Sequence, residues 1–295
     1  MSSMWIKDNR NFERPCMITC ALSGVVANRE QCPAIPYTPE EYAAEAKRAY
    51  EAGASVAHIH ARTREGLPSY EVEDYKNIYD AVTDVCPIII NFSTGAINVT
   101  TQQKIAHIQA IKPPIGALNM GSMNYAKYNP GKKRFVFEFV FPNPFSEIMQ
   151  IVQAMNGVQT KPELECFDIG HVGNSFPLID MGLLQPPFQY SLIMGVLGGI
   201  PPTVSNLIAM VDLLKPDSDW EVIGISLDQW RMVAAAIALG GNIRVGLEDN
   251  FYLQAGVMAK SNGDLVDKAA RMVRDQGREV ATVEECRQRL NLVNR

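Results

Sequence analysis

The sequence lacks the features that would place the chain in a membrane, a disulfide-bonded scaffold or a dinucleotide-binding sheet. Its longest apolar stretch, residues 191–200, is too short and too rich in glycine to cross a bilayer. The six cysteines include no C-x-x-C pair and no dense spacing, so we expect reduced thiols that are mostly buried. No Gly-x-Gly-x-x-Gly motif occurs, which leaves a dinucleotide site without support.

Strong charge of either sign is also missing. The 295 residues carry a formal net charge of −5, with 47% apolar and 20% charged residues, which favours neither disorder nor a nucleic-acid-binding surface. Residues 1–14 hold several charges and no apolar segment, so a secretory signal is not predicted. We expect a cytoplasmic enzyme that acts on small molecules, with no nucleic-acid or membrane partner.

The sequence does contain an alternation of short apolar runs and helical patterns, which is typical of a parallel sheet wound with helices. Eight such units in a chain of this length favour a TIM (β/α)8 barrel of the α/β class over a doubly wound sheet. We predict one domain over residues 1–295, with a polar N-terminal arm (1–14) and a C-terminal helical tail (277–295). The predicted strands cover residues 16–22, 55–62, 87–92, 115–120, 162–167, 189–195, 220–225 and 242–247.

Some element boundaries are marked by local signals. Residues 38–41, Thr-Pro-Glu-Glu, predict a capping box at the start of the first helix, and Gly53 predicts its end. Residues 226–229, Ser-Leu-Asp-Gln, predict a second capping box before the alanine-rich helix. Residues 124–134 are polar and are expected to form a loop, whereas residues 135–140 fit either a strand or the approach to a helix.

His58 and His60 are two of only four histidines, and they lie in an otherwise apolar run. Because a strand alternates its side chains, both imidazoles point to the same side. A single buried histidine is explained by one hydrogen bond in a core. Two on one strand face favour a metal site as much as they favour that simpler explanation.

Polar residues end several predicted strands, and in a TIM barrel the carboxyl ends of the strands form the active-site mouth. We therefore expect these side chains to ring one mouth, with a carboxylate-binding region formed by hydroxyl and backbone donors. The candidates for that region are Ser93, Thr94, Gly95, Asn119 and Ser122, and the other polar strand ends are Glu165, Glu248 and Asp249.

A catalytic zinc ion takes about three protein ligands and leaves a position open for substrate. Glu248 is the predicted third ligand, because the last strand should close the barrel near His58 and because alternation places Arg244 and Glu248 on one face. An ordinary polar strand end is the alternative. Arg244 needs a partner for its permanent charge, and Asp249 is the nearest, either as an arginine-held general base or as half of a structural ion pair.

Several ordered motifs resemble the β-keto acid cleavage enzyme family over almost the whole chain. They lie at residues 38–41, 51–54, 58–60, 93–95, 118–119, 121–124, 198–199 and 241–250. The resemblance implies a TIM barrel that binds zinc through His58, His60 and Glu248, with Asp249 as the base and Arg244 as its partner.

The resemblance also implies the substrate contacts and the reaction. Hydroxyls matching Ser93 and Ser122 would bind the substrate carboxylate; Ser122 stands where the family often has threonine. A β-keto acid and acetyl-CoA would exchange their acyl groups, giving acetoacetate and the CoA thioester of the acyl group from the β-keto acid. The family likeness further suggests a homo-oligomer, a tetramer.

The first βα loop departs from family members that cleave an amine-bearing substrate. In those members an acidic residue meets the amine, and the matching position here is Val26, so an amine-bearing substrate is not expected. The loop instead offers Val25 and Val26 to an apolar acyl tail, or Arg29 to a second carboxylate. Both possibilities stay open.

Other interpretations of the same residues also stay open. Two histidines and a carboxylate describe a non-haem iron oxygenase site. Another metal-dependent lyase or hydrolase on the same barrel is a further alternative. An amidohydrolase would need further ligand histidines, and only His107 and His171 are left, neither at a convincing strand end. A structural metal would predict a closed four-ligand site. The loop at residues 195–202 suits either backbone contacts to CoA or a tight turn at the barrel rim.

Overall fold

In the computed structural model, residues 12–293 are described, and they build a closed barrel of eight parallel strands with helices between them. The predicted TIM barrel is confirmed. Residues 1–11 of the predicted arm and residues 294–295 of the predicted tail lie outside the described residues. The barrel strands are β1 (Ile18–Ala21), β2 (Val56–Ile59), β3 (Ile89–Ser93), β4 (Ile115–Asn119), β7 (Lys161–Cys166), β8 (Phe188–Met194), β9 (Ser218–Gly224) and β10 (Asn242–Val245).

The strand order around the barrel is β1-β10-β9-β8-β7-β4-β3-β2, so the first and last strands are neighbours, as expected. Thr19 of β1 lies opposite Arg244 of β10, and Ala21 lies opposite His58 of β2. The strands that carry the candidate metal ligands therefore flank the same strand, and their inward residues can meet at one place in the mouth.

The helices follow the predicted pattern, and local signals set several of their ends. Thr38 and Glu41 form the predicted capping box, and Gly53 ends the first helix in the left-handed conformation. The segment after β7 forms two short helices, α5 and α6. The helices are α1 (Pro39–Ala52), α2 (Val72–Thr83), α3 (Thr101–Ile111), α4 (Phe145–Gly157), α5 (Ile169–Gly173), α6 (Ser175–Asp180), α7 (Val204–Leu213), α8 (Gln229–Ala238), α9 (Asn262–Asp275) and α10 (Val283–Arg289).

The expectation of a loop at residues 124–134 is wrong. An antiparallel hairpin, β5 (Met123–Asn129) and β6 (Arg134–Phe141), follows β4. The turn signal at Pro130 and Gly131 marks only its tip, and the polar residues before that turn belong to a strand because they pair with the alternating aromatic residues of β6. A smaller hairpin, β11 (Tyr252–Gln254) and β12 (Val257–Met258), follows β10.

The second predicted capping box is also wrong. Ser226 has a φ of +59° and begins a one-turn 3₁₀ helix, and α8 starts at Gln229 without a side-chain cap. The backbone N–H of Ser226 donates to the carbonyl of Asp249 at 2.8 Å. This contact with the segment that follows β10 competes with local capping and decides the backbone conformation of Ser226.

The barrel interior below the mouth is polar and hydrogen-bonded. Thr19 donates to the buried carboxyl of Glu221 at 2.6 Å, and the hydroxyl of Ser191 lies within hydrogen-bond distance of both Glu221 and Glu163. Burial raises the pKa of Glu221 well above its usual range, which favours its protonated form. This end of the barrel is filled, so a ligand must enter from the mouth.

Two expectations from composition, one for the cysteines and one for membrane spans, can be compared with the structure. All six cysteines are buried and free, in agreement with the prediction. Within the described part of the chain, no helix combines the length and the apolar character that a membrane span requires. The thiols therefore contribute to core packing.

Gly246 delivers Glu248 to the mouth in a way that strand alternation did not predict. The strand β10 ends at Val245, and Gly246 follows with a φ of +146°. A Cβ on Gly246 would lie 2.1 Å from the carbonyl oxygen of Ala21, and the N–H of Glu248 donates to that oxygen at 3.2 Å. A glycine turn across β1, and not continued alternation, positions the carboxylate.

We expect Gly246→Ala to lower the free energy of unfolding by about 2–4 kcal/mol, because the methyl group meets backbone and the φ is unfavourable. Chemical denaturation measures the change. The matched control is Gly157→Ala at the end of α4, where nothing lies within 4 Å of the added Cβ. Equal stability of Gly246→Ala and the wild-type protein would contradict this account.

Candidate metal centre and active site

Three side chains at the mouth form a candidate metal site. The Nε2 atoms of His58 and His60 lie 3.7 Å and 3.6 Å from the same Oε1 atom of Glu248. Their candidate ligand atoms all lie within 4.8 Å of one another. Across residues 12–293, this is the one group of at least three His, Cys, Asp or Glu side chains found with such spacing. The structure thus brings together the three predicted ligands.

Unsatisfied polar atoms show that this group suits a cation. His58 is 0% exposed, and neither of its ring nitrogens has a hydrogen-bond partner; Oε2 of Glu248 is buried and unpaired as well. Leaving such atoms without partners costs free energy, and native structures seldom do so. A divalent ion bound by two imidazoles and one carboxylate would give a partner to one ring nitrogen of His58 and to the carboxylate of Glu248.

Arg244 lies behind the ligands and connects the acidic residues of the mouth. Its guanidinium donates to both oxygens of Asp249 at 3.0 Å and to Oε1 of Glu248 at 2.6 Å. Glu165 lies on its other side, with an N–O distance of 3.5 Å. The predicted pairing of Arg244 with Asp249 is present, and its two-pronged geometry fixes the orientation of the carboxylate.

The protonation preferences of these groups suit metal binding and proton transfer. Burial, reinforced by the charge of Arg244, lowers the pKa of His58 well below its usual range, so its imidazole is neutral. Burial opposes ionisation of Glu248, but the charge of Arg244 outweighs it and lowers the pKa of this carboxyl well below its usual range. Burial raises the pKa of Asp249 to about 6 and that of Glu165 to about 8, against the opposing charge of Arg244.

Part of the predicted carboxylate-binding region lies beside His60. A Cβ on Gly95 would lie 3.3 Å from Nδ2 of Asn119, 3.3 Å from Oγ of Ser93 and 3.9 Å from Cε1 of His60, so these groups share one space. The hydroxyl of Thr94 is turned away, because it donates to the carbonyl of Ala117 at 2.6 Å.

Ser122 lies at the base of the hairpin that follows β4. Its Oγ accepts a hydrogen bond from the backbone N–H of Asn143 at 2.7 Å. This bond fixes the oxygen and leaves the hydroxyl hydrogen available to donate. Ser122 can therefore still act as a donor to an anionic ligand.

The first βα loop starts beside the candidate metal ligands. A Cβ on Gly24 would lie 2.6 Å from Cγ of Glu248, and Val26, two residues further on, is 64% exposed. Arg29 is directed elsewhere: its guanidinium pairs with Glu41, and its Nε donates to the carbonyl of Ile35 at 3.0 Å. The loop presents Val26 to solvent and holds Arg29 at the start of α1.

Arg62 was not predicted as part of the mouth, although it follows the His-x-His strand directly. Its guanidinium donates to the carbonyls of Gly24 at 2.8 Å, Ala27 at 2.6 Å and Gly66 at 2.7 Å. A charged residue two positions after His60 was the available signal. Arg62 holds the first βα loop in place over the mouth.

Tyr125 of β5 was also missed. Its ring stacks on Phe139 with a centroid separation of 5.2 Å and packs against a buried cluster that includes Ile223, which lies opposite Arg244 in the sheet. Burial, together with the charges of Glu248, Asp249 and Glu165, raises the pKa of Tyr125 to about 12. The alternating aromatic residues of β6 were the signal that could have placed this hairpin over the mouth.

Two glycines in the loop at residues 195–202 allow close packing, one against the hairpin and one against the residue that follows β7. A Cβ on Gly198 would lie 1.9 Å from the carbonyl oxygen of Asn124, and one on Gly199 would lie 2.5 Å from that of Phe167. The N–H of Ala126 donates to the carbonyl of Leu197 at 3.3 Å. These contacts favour the interpretation of this segment as a tight rim turn.

Comparisons with known proteins agree with these motifs. A family model described as beta-keto acid cleavage enzyme matches residues 15–292. The chain is 37% identical over 280 residues to the 3-keto-5-aminohexanoate cleavage enzyme of Acetoanaerobium sticklandii, covering 94% of this chain and 98% of that protein. It is 30% identical over 300 residues to the 3,5-dioxohexanoate:acetyl-CoA acetone transferase of Paraburkholderia graminis, covering 95% and 96%.

Solved structures give the same fold. The apo structure of ObcA superposes with a TM-score of 0.75 at 20% sequence identity, and the match covers 88% of this chain and 66% of that one. At this identity the likeness concerns the barrel fold alone.

We expect the purified protein to carry a divalent ion, and we expect His58→Gln and His60→Gln to lose it, because each removes one of few ligands. Metal analysis after dialysis measures the loss. The control is His171→Gln, which alters a buried histidine outside the ligand group and should retain the metal. Full metal content in His58→Gln would contradict the site.

Proposed function

Because the chain belongs to the beta-keto acid cleavage enzyme family, we propose that it converts a β-keto acid and acetyl-CoA into acetoacetate and a new acyl-CoA at a zinc site. The group of His58, His60 and Glu248 beside the Arg244–Asp249 pair is the observation that carries the proposal. Relatives named as acetyl-CoA transferases support acetyl-CoA as the co-substrate. The homotetramer and the cytoplasmic location stay predictions.

Zinc is the proposed metal because two imidazoles and one carboxylate are a common catalytic zinc ligand set. When bound there, the ion supplies Lewis-acid polarisation of a substrate ketone. Only three candidate ligands lie together within the described residues, which suits a site that keeps a position for substrate and not a closed structural site.

The residues around the ligands supply binding and proton transfer. Ser93, Asn119 and Ser122 would hold the substrate carboxylate through hydroxyl and amide donors. Asp249 would remove a proton from the carbon between ketone and carboxylate, because Arg244 holds both of its oxygens at the mouth.

The bonds then exchange between the two substrates. The deprotonated carbon attacks the thioester carbonyl, and the C–S bond breaks to release the CoA thiolate. The thiolate attacks the original ketone carbon. The bond between that carbon and the newly acetylated carbon then breaks, which leaves the acyl group on CoA. The released fragment, acetoacetate, takes its proton back from Asp249, so that the acid regenerates as the base for the next turnover.

The proposal is tested by incubating the metal-analysed protein with acetyl-CoA and β-keto acids that carry apolar, carboxylate or amine tails. Mass spectrometry should show acetoacetate together with the matching acyl-CoA. Asp249→Asn should retain the metal and lower kcat by about 10²–10⁴-fold, because it removes the base. No acyl-CoA from any substrate, or oxygen consumption by an iron-loaded enzyme, would contradict the assignment.

The proposed substrate is not amine-bearing, because an exposed valine occupies the position where an acid would pair with the amine. We expect Val26→Glu to raise kcat/KM for an amine-tailed β-keto acid about tenfold relative to a neutral one, by adding a charge partner. The control is Leu227→Glu, which adds the same charge at another exposed apolar position. An unchanged ratio, or the same change in both variants, would show that Val26 does not face the acyl tail.

A further inference from the structure

The hairpin formed by β5 and β6 carries a row of aromatic side chains on one face. Tyr125 lies opposite Phe139, and a bulge after Lys127 brings Tyr128 opposite Phe135. Exposure increases along the row, from 7% at Phe141 to 51% at Phe135. We call this row the aromatic strip; its members are Tyr125, Tyr128, Phe135, Phe137, Phe139 and Phe141.

The inner end of the aromatic strip lies at the catalytic mouth. Phe141 and Tyr125 pack with Phe167, Ile193 and Ile223 in one cluster. Ile223 lies directly opposite Arg244 in the sheet. The strip therefore leads away from the group that holds the proposed base.

The outer end of the hairpin is basic, although the chain as a whole is acidic. Lys132, Lys133 and Arg134 are consecutive and exposed, in a protein of net charge −5. We call this group the basic tip. From Phe139 to Arg134 the strand extends about 17 Å, at roughly 3.3 Å per residue. A ligand lying along the hairpin would thus meet aromatic rings first and positive charge last.

The two proposed substrates would use different sides of the mouth. The ligand histidines and carboxylate donors come from β2, β3 and β4, and the first βα loop follows β1. The aromatic strip packs over the ends of β7, β8 and β9, on the other side of the barrel order. This side is left for the second substrate.

We propose that the hairpin binds acetyl-CoA, with the phosphates at the basic tip, the uncharged pantetheine arm along the aromatic strip and the thioester at Tyr125. The inference rests on the proposed function, because it identifies the hairpin as the binding site for the co-substrate of that reaction. The hairpin and the ligand have their groups in the same order. The ligand has a neutral reacting end, a long uncharged arm and an anionic end, and the hairpin has Tyr125 near the mouth, the aromatic strip and the basic tip. Exposed lysines and arginines attract phosphate, and aromatic rings pack against an apolar arm.

The first test neutralises three charges of the basic tip in Lys132→Gln/Lys133→Gln/Arg134→Gln. We expect the KM for acetyl-CoA to rise about tenfold with little change in kcat, because three exposed phosphate contacts are lost. Turnover of acetyl-pantetheine, which lacks the terminal phosphates, should be the same in variant and wild type. The control Lys260→Gln/Arg271→Gln/Arg274→Gln removes equal charge from exposed positions near α9 and should leave the KM unchanged.

Direct binding separates failure of this inference from failure of the proposed function. Calorimetry with CoA requires no turnover, and the wild-type protein should bind CoA more tightly than the triple variant of the basic tip. That result supports the inference even if no β-keto acid reacts. Equal CoA affinity of the two proteins, or no CoA binding by the wild type, would overturn it even if turnover is seen.

The second test addresses the aromatic strip. Phe137→Ser should raise the KM for both acetyl-CoA and acetyl-pantetheine, because the arm loses apolar contact. The matched control is Val136→Ser, which alters the opposite face of the same strand at a residue that is 57% exposed. Equal effects of the two variants, or dissociation of an oligomer by Phe137→Ser alone, would overturn the proposal; the latter would identify the strip as a subunit interface.

Discussion

The buried guanidinium of Arg244 is the interaction on which the arrangement of the barrel mouth depends. It binds both oxygens of Asp249 and one of Glu248, and so fixes the two acidic side chains that follow β10. A lone cation at this depth would be unstable, since the desolvation of a charge must be offset by close partners. The cation and the carboxylates require each other, and Glu248 is thereby held within reach of His58 and His60.

Rigid elements surround this centre and divide the mouth. The histidines lie on β2 and directly after it, the glycine turn after β10 positions Glu248, and β10 carries Arg244. Arg62 holds the first βα loop through backbone carbonyls. The inserted hairpin runs from the end of β4 to the loop that follows β8, where Gly198 lets the backbone of that loop approach the backbone of Asn124 closely. A site supported in this way is preorganised, because few side chains must move before substrate meets the base.

Features that depend on neighbours in sequence could be predicted. Alternation placed His58 and His60 on one face, and the Thr38 capping box and Gly53 marked a helix by local hydrogen bonds. The Ser226 box had the same local signal but failed, because its N–H bonds to the distant carbonyl of Asp249. The strand β5 was missed because its polar residues are ordered by pairing with β6, a partner that its own composition does not indicate.

By itself, the sequence determined the eight strand-helix units, the polar residues at the strand ends and the family motifs, since periodicity and turn chemistry are properties of short segments. Only the tertiary structure decided how Glu248 reaches the histidines, through the turn of Gly246 against Ala21, and where the aromatic strip lies. These outcomes depend on contacts between residues far apart in the chain. Such contacts form only when the closed barrel brings those residues together, and no local pattern encodes them.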